Sequence, residues 1–362
     1  MASELDGLRT QLDISVQRLN ALREAYAIQS DPNLKFTLEM QIAQLENEIA
    51  SLRQRMEAAY GISAVSASNL LEQKIRELNI NVRSNLGEFF LVNVNRLPPR
   101  DRFWEAFDAK AEARNPFQFY YVVACPSQQP NSFAERMIYE LVIEELEEEM
   151  DAINYVRQSD SRRVQVEDLP LGRNLRNSQR EFKKYFARRF GLMDSETLFE
   201  DYIKTGLPKL DYQYVATVFD LNASRWDDSF MNDYLQWIVD VFSDTHEAVP
   251  TFLFFFAIFL RDAHVDPLPP DERKIVSSIQ TLINKNPKRS TLINQLGPVS
   301  TGDVADWLRE LGEHNESKIA DLVKLIVAGL PEDKKRKFEA SQLLDMSDVE
   351  RFQEVVYRVA IR

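Results

Sequence analysis

The chain has 362 residues, 44% of them apolar, enough for one large core and one or two smaller units. Its 57 acidic and 44 basic residues leave a formal charge of −13, which excludes a global attraction to nucleic acid and leaves any such attraction to a local basic patch. A single cysteine, Cys125, excludes an intrachain disulfide and fits a reducing compartment.

The start, "MASELDGLRTQLDISVQRL", has no basic lead into an apolar run, so no signal peptide is expected. Leu5, Leu12 and Leu19 recur every seven residues, with Leu8 and Leu22 on the interleaved row. "SDPN" at 30–33 breaks the helix, because Pro32 cannot continue it. Leu38, Leu45 and Leu52 then repeat the spacing, with Ile42, Ile49 and Met56 beside them. The expectation is an antiparallel helical hairpin over residues 1–61, with Gly61 ending it. Such a hairpin buries little by itself and must pack on its own domain, on a second copy or on a partner's coiled coil.

Residues 62–100 read as a connector, with Pro98-Pro99 stopping a short strand around "FFLVNV". A helix capped by Asp101 should follow, with Phe103, Trp104 and Phe107 on its apolar side. From Phe117 the pattern changes. "FQFYYVVA" is a continuous apolar run of the kind buried in a parallel sheet. "CPSQQPN" is a turn, and Ser132 with Glu135 three residues on has capping-box spacing for the next helix. The carboxylates between Glu140 and Asp151 read as a solvated face. "YVATVF", ending at Asp220, and "TFLFFFAIFL" are two further strands, the second too short to span a bilayer as a helix. Strands alternating with helices predict a doubly wound parallel α/β sheet over residues 101–268, with ligand positions at the strands' carboxyl ends.

A strand–loop–helix at such an edge is the layout of a phosphate-binding loop. That chemistry needs glycines for converging N–H groups, a lysine for the phosphates and a hydroxyl for magnesium. Here Pro126 and Pro130 have no N–H, Ser127 and Ser132 are the only hydroxyls, and no lysine is present. Asp220 follows four apolar residues as a magnesium-site aspartate would. The expectation is an NTPase skeleton without its phosphate chemistry, and therefore no nucleotide, metal or other cofactor and no catalytic residues.

"YYVVACPSQQPNSFAERMIYELV" and "VPTFLFFFAIFLRDAH" together resemble the inactive STAND family of bacteria, over roughly residues 79–300. The resemblance implies a P-loop NTPase-like fold with a degraded nucleotide site, at Pro126, Ser127, Pro130, Ser132 and Asp220 here. It also implies a non-catalytic role in bacterial defence or programmed-death signalling, with the arm as adaptor. Partners implied are an effector or sensor protein, or a second copy, engaged through the leucine rows of the arm.

"GRNLRNSQREFKKYFARRFGL", from Gly172 to Leu192, is the one concentrated basic stretch. Phe182, Tyr185, Phe186 and Phe190 make an apolar stripe, with Arg180, Lys183, Lys184 and Arg188 opposite. An ordinary solvated helix face and a contact for an acidic or nucleic-acid ligand both fit. His246, His264 and His314 lack zinc-like spacing, and no partner marks His264 or Cys125 as catalytic. After the Pro-rich "HVDPLPPDE", residues 269–362 read as a helical domain, with Val304, Trp307, Leu308 and Leu311 on one helix face. A soluble cytoplasmic protein is expected.

Overall fold

In a computed structural model of the protein, the strand Phe117–Ala124 (β1) is buried along its whole length. The structure describes residues 22, 38, 41, 42, 45, 71–78, 94, 96–146, 153–154, 166–189, 199, 201–203, 213–242, 250–261, 268–293 and 295–360. Contacts divide the chain into two units, Met1–Glu77 and Leu78–Arg362.

In the first unit, Leu22, Leu38, Gln41, Ile42 and Leu45 are helical, as are residues 71–77. Leu38, Ile42 and Leu45 are half-buried and Gln41 is exposed, which follows the expected apolar row. Leu5, Leu12, Leu19 and Leu52 lie outside the described residues.

The second unit is built on a sheet. Around β1 stand Ile153–Asn154 (β2), Val166–Asp168 (β3), Tyr214–Asn222 (β4), Thr251–Phe259 (β5) and Ser290–Ile293 (β6). The order is β2-β4-β5-β1-β6, with β3 also on β4, and every pairing is parallel. Short β2 and β3 thus share the free side of β4, one at each end. In-register parallel pairing brings side chains of one face to within about 5 Å of their neighbours. Between β1 and β5 that spacing is filled with aromatic rings: Phe117 on Phe252, Phe119 on Phe254 and Tyr121 on Phe256 stack with centroids 5.1, 5.2 and 5.0 Å apart. Tyr120 on Phe255, at 5.2 Å, repeats the rung on the opposite face.

Helices cover both faces. On the side of Tyr120 lie Leu97–Glu112 (α1), which sets Phe103 5.0 Å from Tyr120, and Pro130–Leu146 (α2), which packs on β4, β5 and β1. Buried Lys110 closes α1 onto β6 through the Thr291 hydroxyl. On the other side, Leu175–Arg189 (α3), Met231–Val241 (α4) and Pro270–Lys285 (α5) send Phe182, Phe186, Tyr234, Ile238 and Ile279 into one core with the odd residues of β1. The doubly wound α/β architecture expected from the sequence is therefore present, with β1, its loop and α2 in the layout of a P-loop NTPase.

Three local expectations are corrected. Pro98-Pro99 stand in the first turn of α1, where a proline loses nothing, and Asp101 is inside the helix and exposed rather than its cap; of the strand expected around "FFLVNV" all but Val94 lies outside the described residues. The sheet does not end before 268. The four residues "STLI" of β6, too few to show a period, pair with β1, so the region after 269 is not all helical. β4 runs two residues past Asp220, because Leu221 is buried and Asn222 still pairs with Phe259.

After the sheet come Val299–Ser300 (β7), Thr301–Leu311 (α6), Glu316–Gly329 (α7), Glu332–Ser341 (α8), Leu343–Leu344 (β8) and Met346–Ala360 (α9). β7 and β8 form a two-stranded antiparallel ribbon. Ser300 and Asp303 make a reciprocal capping box at the start of α6, and Gly312 ends it in the left-handed conformation. Val304, Trp307, Leu308 and Leu311 are all buried, as the helical spacing requires. Among the described residues no helix is long and apolar enough to cross a membrane.

Candidate functional site

The carboxyl end of β1 passes into a single 3-10 turn, Pro126–Gln128, and then directly into α2. The chain reverses at Gln129, which sits in the left-handed region at φ 50°. A glycine would take that conformation freely, whereas a non-glycine residue there costs about 1 kcal/mol or more. Pro130 opens α2 at its first position, where a missing N–H is harmless. Ser132 is therefore not the cap that its spacing with Glu135 suggested. It lies in the first turn, fully enclosed.

The donors of this loop can be followed one by one. Pro126 and Pro130 have none. The N–H of Gln128 bonds Cys125 O at 2.9 Å, and that of Gln129 bonds Pro126 O at 3.2 Å. The N–H of Ser132 goes to Asn131 Oδ1 at 2.9 Å, and that of Phe133 to Gln129 O at 3.2 Å. The side chains are directed at the C-terminal helices. Gln128 Nε2 donates to Asp345 Oδ1 at 2.9 Å, and Ser132 Oγ donates to Glu350 Oε1, also at 2.9 Å. Ser127 Oγ lies 3.3 Å from Cys125 Sγ and accepts from Gln128 Nε2. The side-chain donors of Gln128 and Ser132 thus go to two carboxylates of the chain, one just before α9 and one within it. These residues do not fit a magnesium nucleotide: two prolines remove N–H groups, no lysine is present, and two carboxylates stand where Gln128 and Ser132 donate.

Arg96, just before α1, supports the turn from below. It is 6% exposed, and its Nη2 donates to Gln128 O at 3.0 Å. Burial lowers its pKa to about 10, partly offset by Asp303 and Cys125, so it stays charged at neutral pH. Asp303 therefore has two tasks, capping α6 and balancing Arg96.

One turn further along α2, Arg136 is buried among apolar neighbours. Its Nε donates to Glu140 Oε1 at 2.7 Å and its Nη2 to Glu310 Oε2, on α6, at 2.8 Å. Glu140 Oε2 accepts from Arg100 Nε at 2.7 Å and Trp104 Nε1 at 3.2 Å, both on α1. Burial alone would lower the Arg136 pKa and raise that of Glu140. The Glu310 and Glu140 charges reverse the first shift, and Arg136 and Arg100 reverse the second. A cation amid "SFAERMIY" was the sequence signal for this hub, but its partners were not readable.

Asp220 stands two strands from the loop, since β5 separates β4 from β1. It is in register with Asp168 on one side and Ala257 on the other. Its Oδ1 is buried with no hydrogen-bond partner. Burial, then Asp168 and Glu135, push its pKa up to about 7. Among the described residues no group of histidine, cysteine or carboxylate side chains is arranged to hold a metal ion. His246 and His264 lie outside the described residues, and His314 is exposed between α6 and α7.

The basic stretch forms α3 as expected, with Phe182 and Phe186 buried. Its cations divide in a way the sequence did not show. Lys183 lies over the Phe199 ring at 5.7 Å, and Arg189 turns inward to Tyr185 OH and Ala216 O. Arg180, Lys184 and Arg188 are exposed, together with Arg173 and Arg176.

No family model matches the chain, and no curated protein matches it. Among solved structures, the Aeropyrum pernix ORC2 protein, in complexes with ADPNP and ADP, aligns at a TM-score of 0.40 and 11% identity, over 74% of this chain and 71% of that one.

Two outcomes follow from these charges. Arg136→Met should lower stability in urea by about 3–5 kcal/mol, because it removes the buried cation between Glu310 and Glu140, leaving Glu140 with Arg100 and Trp104. Asp220 holds its proton to about pH 7 in the native state and releases it near pH 4 when unfolded, so native stability should fall as pH rises between those values. Asp220→Asn should abolish that slope and raise the stability measured in urea at about pH 8 by about 1 kcal/mol or more.

Proposed function

We propose that the chain is a non-catalytic signalling adaptor of the inactive STAND type, acting by association in a bacterial defence or programmed-death system. The observation that carries this reading is the closed loop. Gln128 and Ser132, side chains a nucleotide would need to engage, are bonded to Asp345 and Glu350. The second support is the resemblance of "YYVVACPSQQPNSFAERMIYELV" and "VPTFLFFFAIFLRDAH" to that family. In this reading the sheet and C-terminal helices form a recognition platform, and the leucine rows of residues 1–61 engage an effector, a sensor or a second copy. A trigger binding the platform would change how the arm is presented.

The alternative is a nucleotide switch with an unusual loop. Isothermal titration with magnesium-ATP and magnesium-GTP separates the two. The adaptor reading expects no saturable binding below the millimolar range, and tight binding or any hydrolysis would replace it with the switch. The arm's role is read by co-purification from the native host: a partner held by residues 1–362 should be lost with residues 62–362. If that partner is retained, the arm is not the adaptor element.

A further inference from the structure

We propose that the outer face of α3 binds the phosphate backbone of a nucleic acid duplex, without reading sequence. Five exposed cations lie along it: Arg173 just before the helix, then Arg176, Arg180, Lys184 and Arg188 at intervals of one turn. From Arg176 to Arg188 they cover about 18 Å at 1.5 Å per residue. Measured along a duplex axis, that length corresponds to about five base-pair rises of 3.4 Å. Glu181 is the acid within the row, bonded to Lys184 at 3.2 Å and lying 3.6 Å from Arg180. Four of the five cations are arginines, whose planar fork engages phosphate oxygens in pairs.

The chemistry of the remaining face selects the ligand. Protein interfaces are centred on exposed aromatic or aliphatic anchors. The apolar stripe of α3 is instead turned into the core, with Phe182 and Phe186 buried. Single-stranded nucleic acids are held by exposed rings on which bases stack. Among the described residues this face offers none, since Tyr185 is half-buried against Phe219 at 5.4 Å. What it does offer, beside the cations, is an open polar cleft of about 800 Å³ at the helix start, where Asn174, Asn177 and Gln179 stand with Arg176 and Arg180. Amide side chains of this kind position a protein on sugar and phosphate. In a chain of net charge −13, the stretch from Arg173 to Arg188 sets five exposed cations against one acid of its own, Glu181. The inference goes beyond the adaptor reading, and its failure would leave the nucleotide titration untouched.

The test is fluorescence anisotropy of the full chain with a labelled DNA duplex of about 20 base pairs and arbitrary sequence, from about 50 to 200 mM salt. The affinity should fall with salt with a logarithmic slope of about −4, as four or five phosphate contacts require. The combined reversal R176E, R180E and K184E should weaken binding at least about tenfold and flatten the slope by about one unit per lost contact. Its melting temperature is measured alongside. Should that variant fail to fold, R173A with R188A replaces it and should flatten the slope by about two units. The proposal is overturned by any of three results: no duplex binding at about 50 mM salt, a folded variant with an unchanged slope, or tighter binding to poly-glutamate or to single strands than to duplex.

Discussion

A guanidinium buried in a protein must be surrounded by partners or it destabilises the fold by several kcal/mol. Arg136 sits at that constraint, and its solution joins three helices. Glu140 comes from its own helix, Glu310 from α6, and Arg100 and Trp104 reach Glu140 from α1. Glu140 stays ionised because Arg136 and Arg100 more than offset its burial, and Arg136 stays charged because of Glu310 and Glu140. The C-terminal helices are thus held on α2 by charges that none of the three helices could bury alone. With α6 fixed there, α9 comes to lie over the turn after β1, and the contacts of Asp345 and Glu350 follow.

The turn itself shows how a phosphate-binding layout can persist without its chemistry. A glycine-rich loop keeps its N–H groups pointing outward at an anion. Two prolines remove donors, and a 3-10 turn folds the next ones back onto Cys125 and Pro126. Gln128 and Ser132, the polar side chains left over, meet carboxylates where an enzyme would present phosphate. Lys334 holds Asp345 from the far side at 3.3 Å, so this acid is fixed and partly balanced rather than free to yield. The outcome is a closed surface between sheet and helices.

How far this was legible depends on the range of the interactions. The β1 strand ends where its apolar run ends, and the capping box of Ser300 with the buried face Val304, Trp307, Leu308 and Leu311 follows directly from local spacing. The prolines alone were enough to argue against phosphate binding. What could not be read were pairings across the chain. Ser132 looked like a cap because Glu135 is three residues away, yet its hydroxyl goes to Glu350, 218 residues on. Four residues of β6 carry too little pattern to announce an edge strand. The basic helix was visible as composition, but the inward turn of Lys183 and Arg189 depends on Phe199 and on β4.

The same layering separates the molecule's two charged features. The carboxylates that close the loop act at α2, on the Tyr120 face of the sheet, while α3 packs on the opposite face through Phe182 and Phe186. A row of cations next to Glu310, Asp345 and Glu350 would be neutralised within a few ångströms; on the opposite face of the sheet it is held apart from them by the sheet and its helices. Asp220 fits the same logic from the inside. Buried beside Asp168 and Glu135, it has its pKa pushed up to about 7, well above the usual carboxylate range. The exposed basic row of α3 lies on the opposite face of the sheet from these acids, with its charge open to solvent.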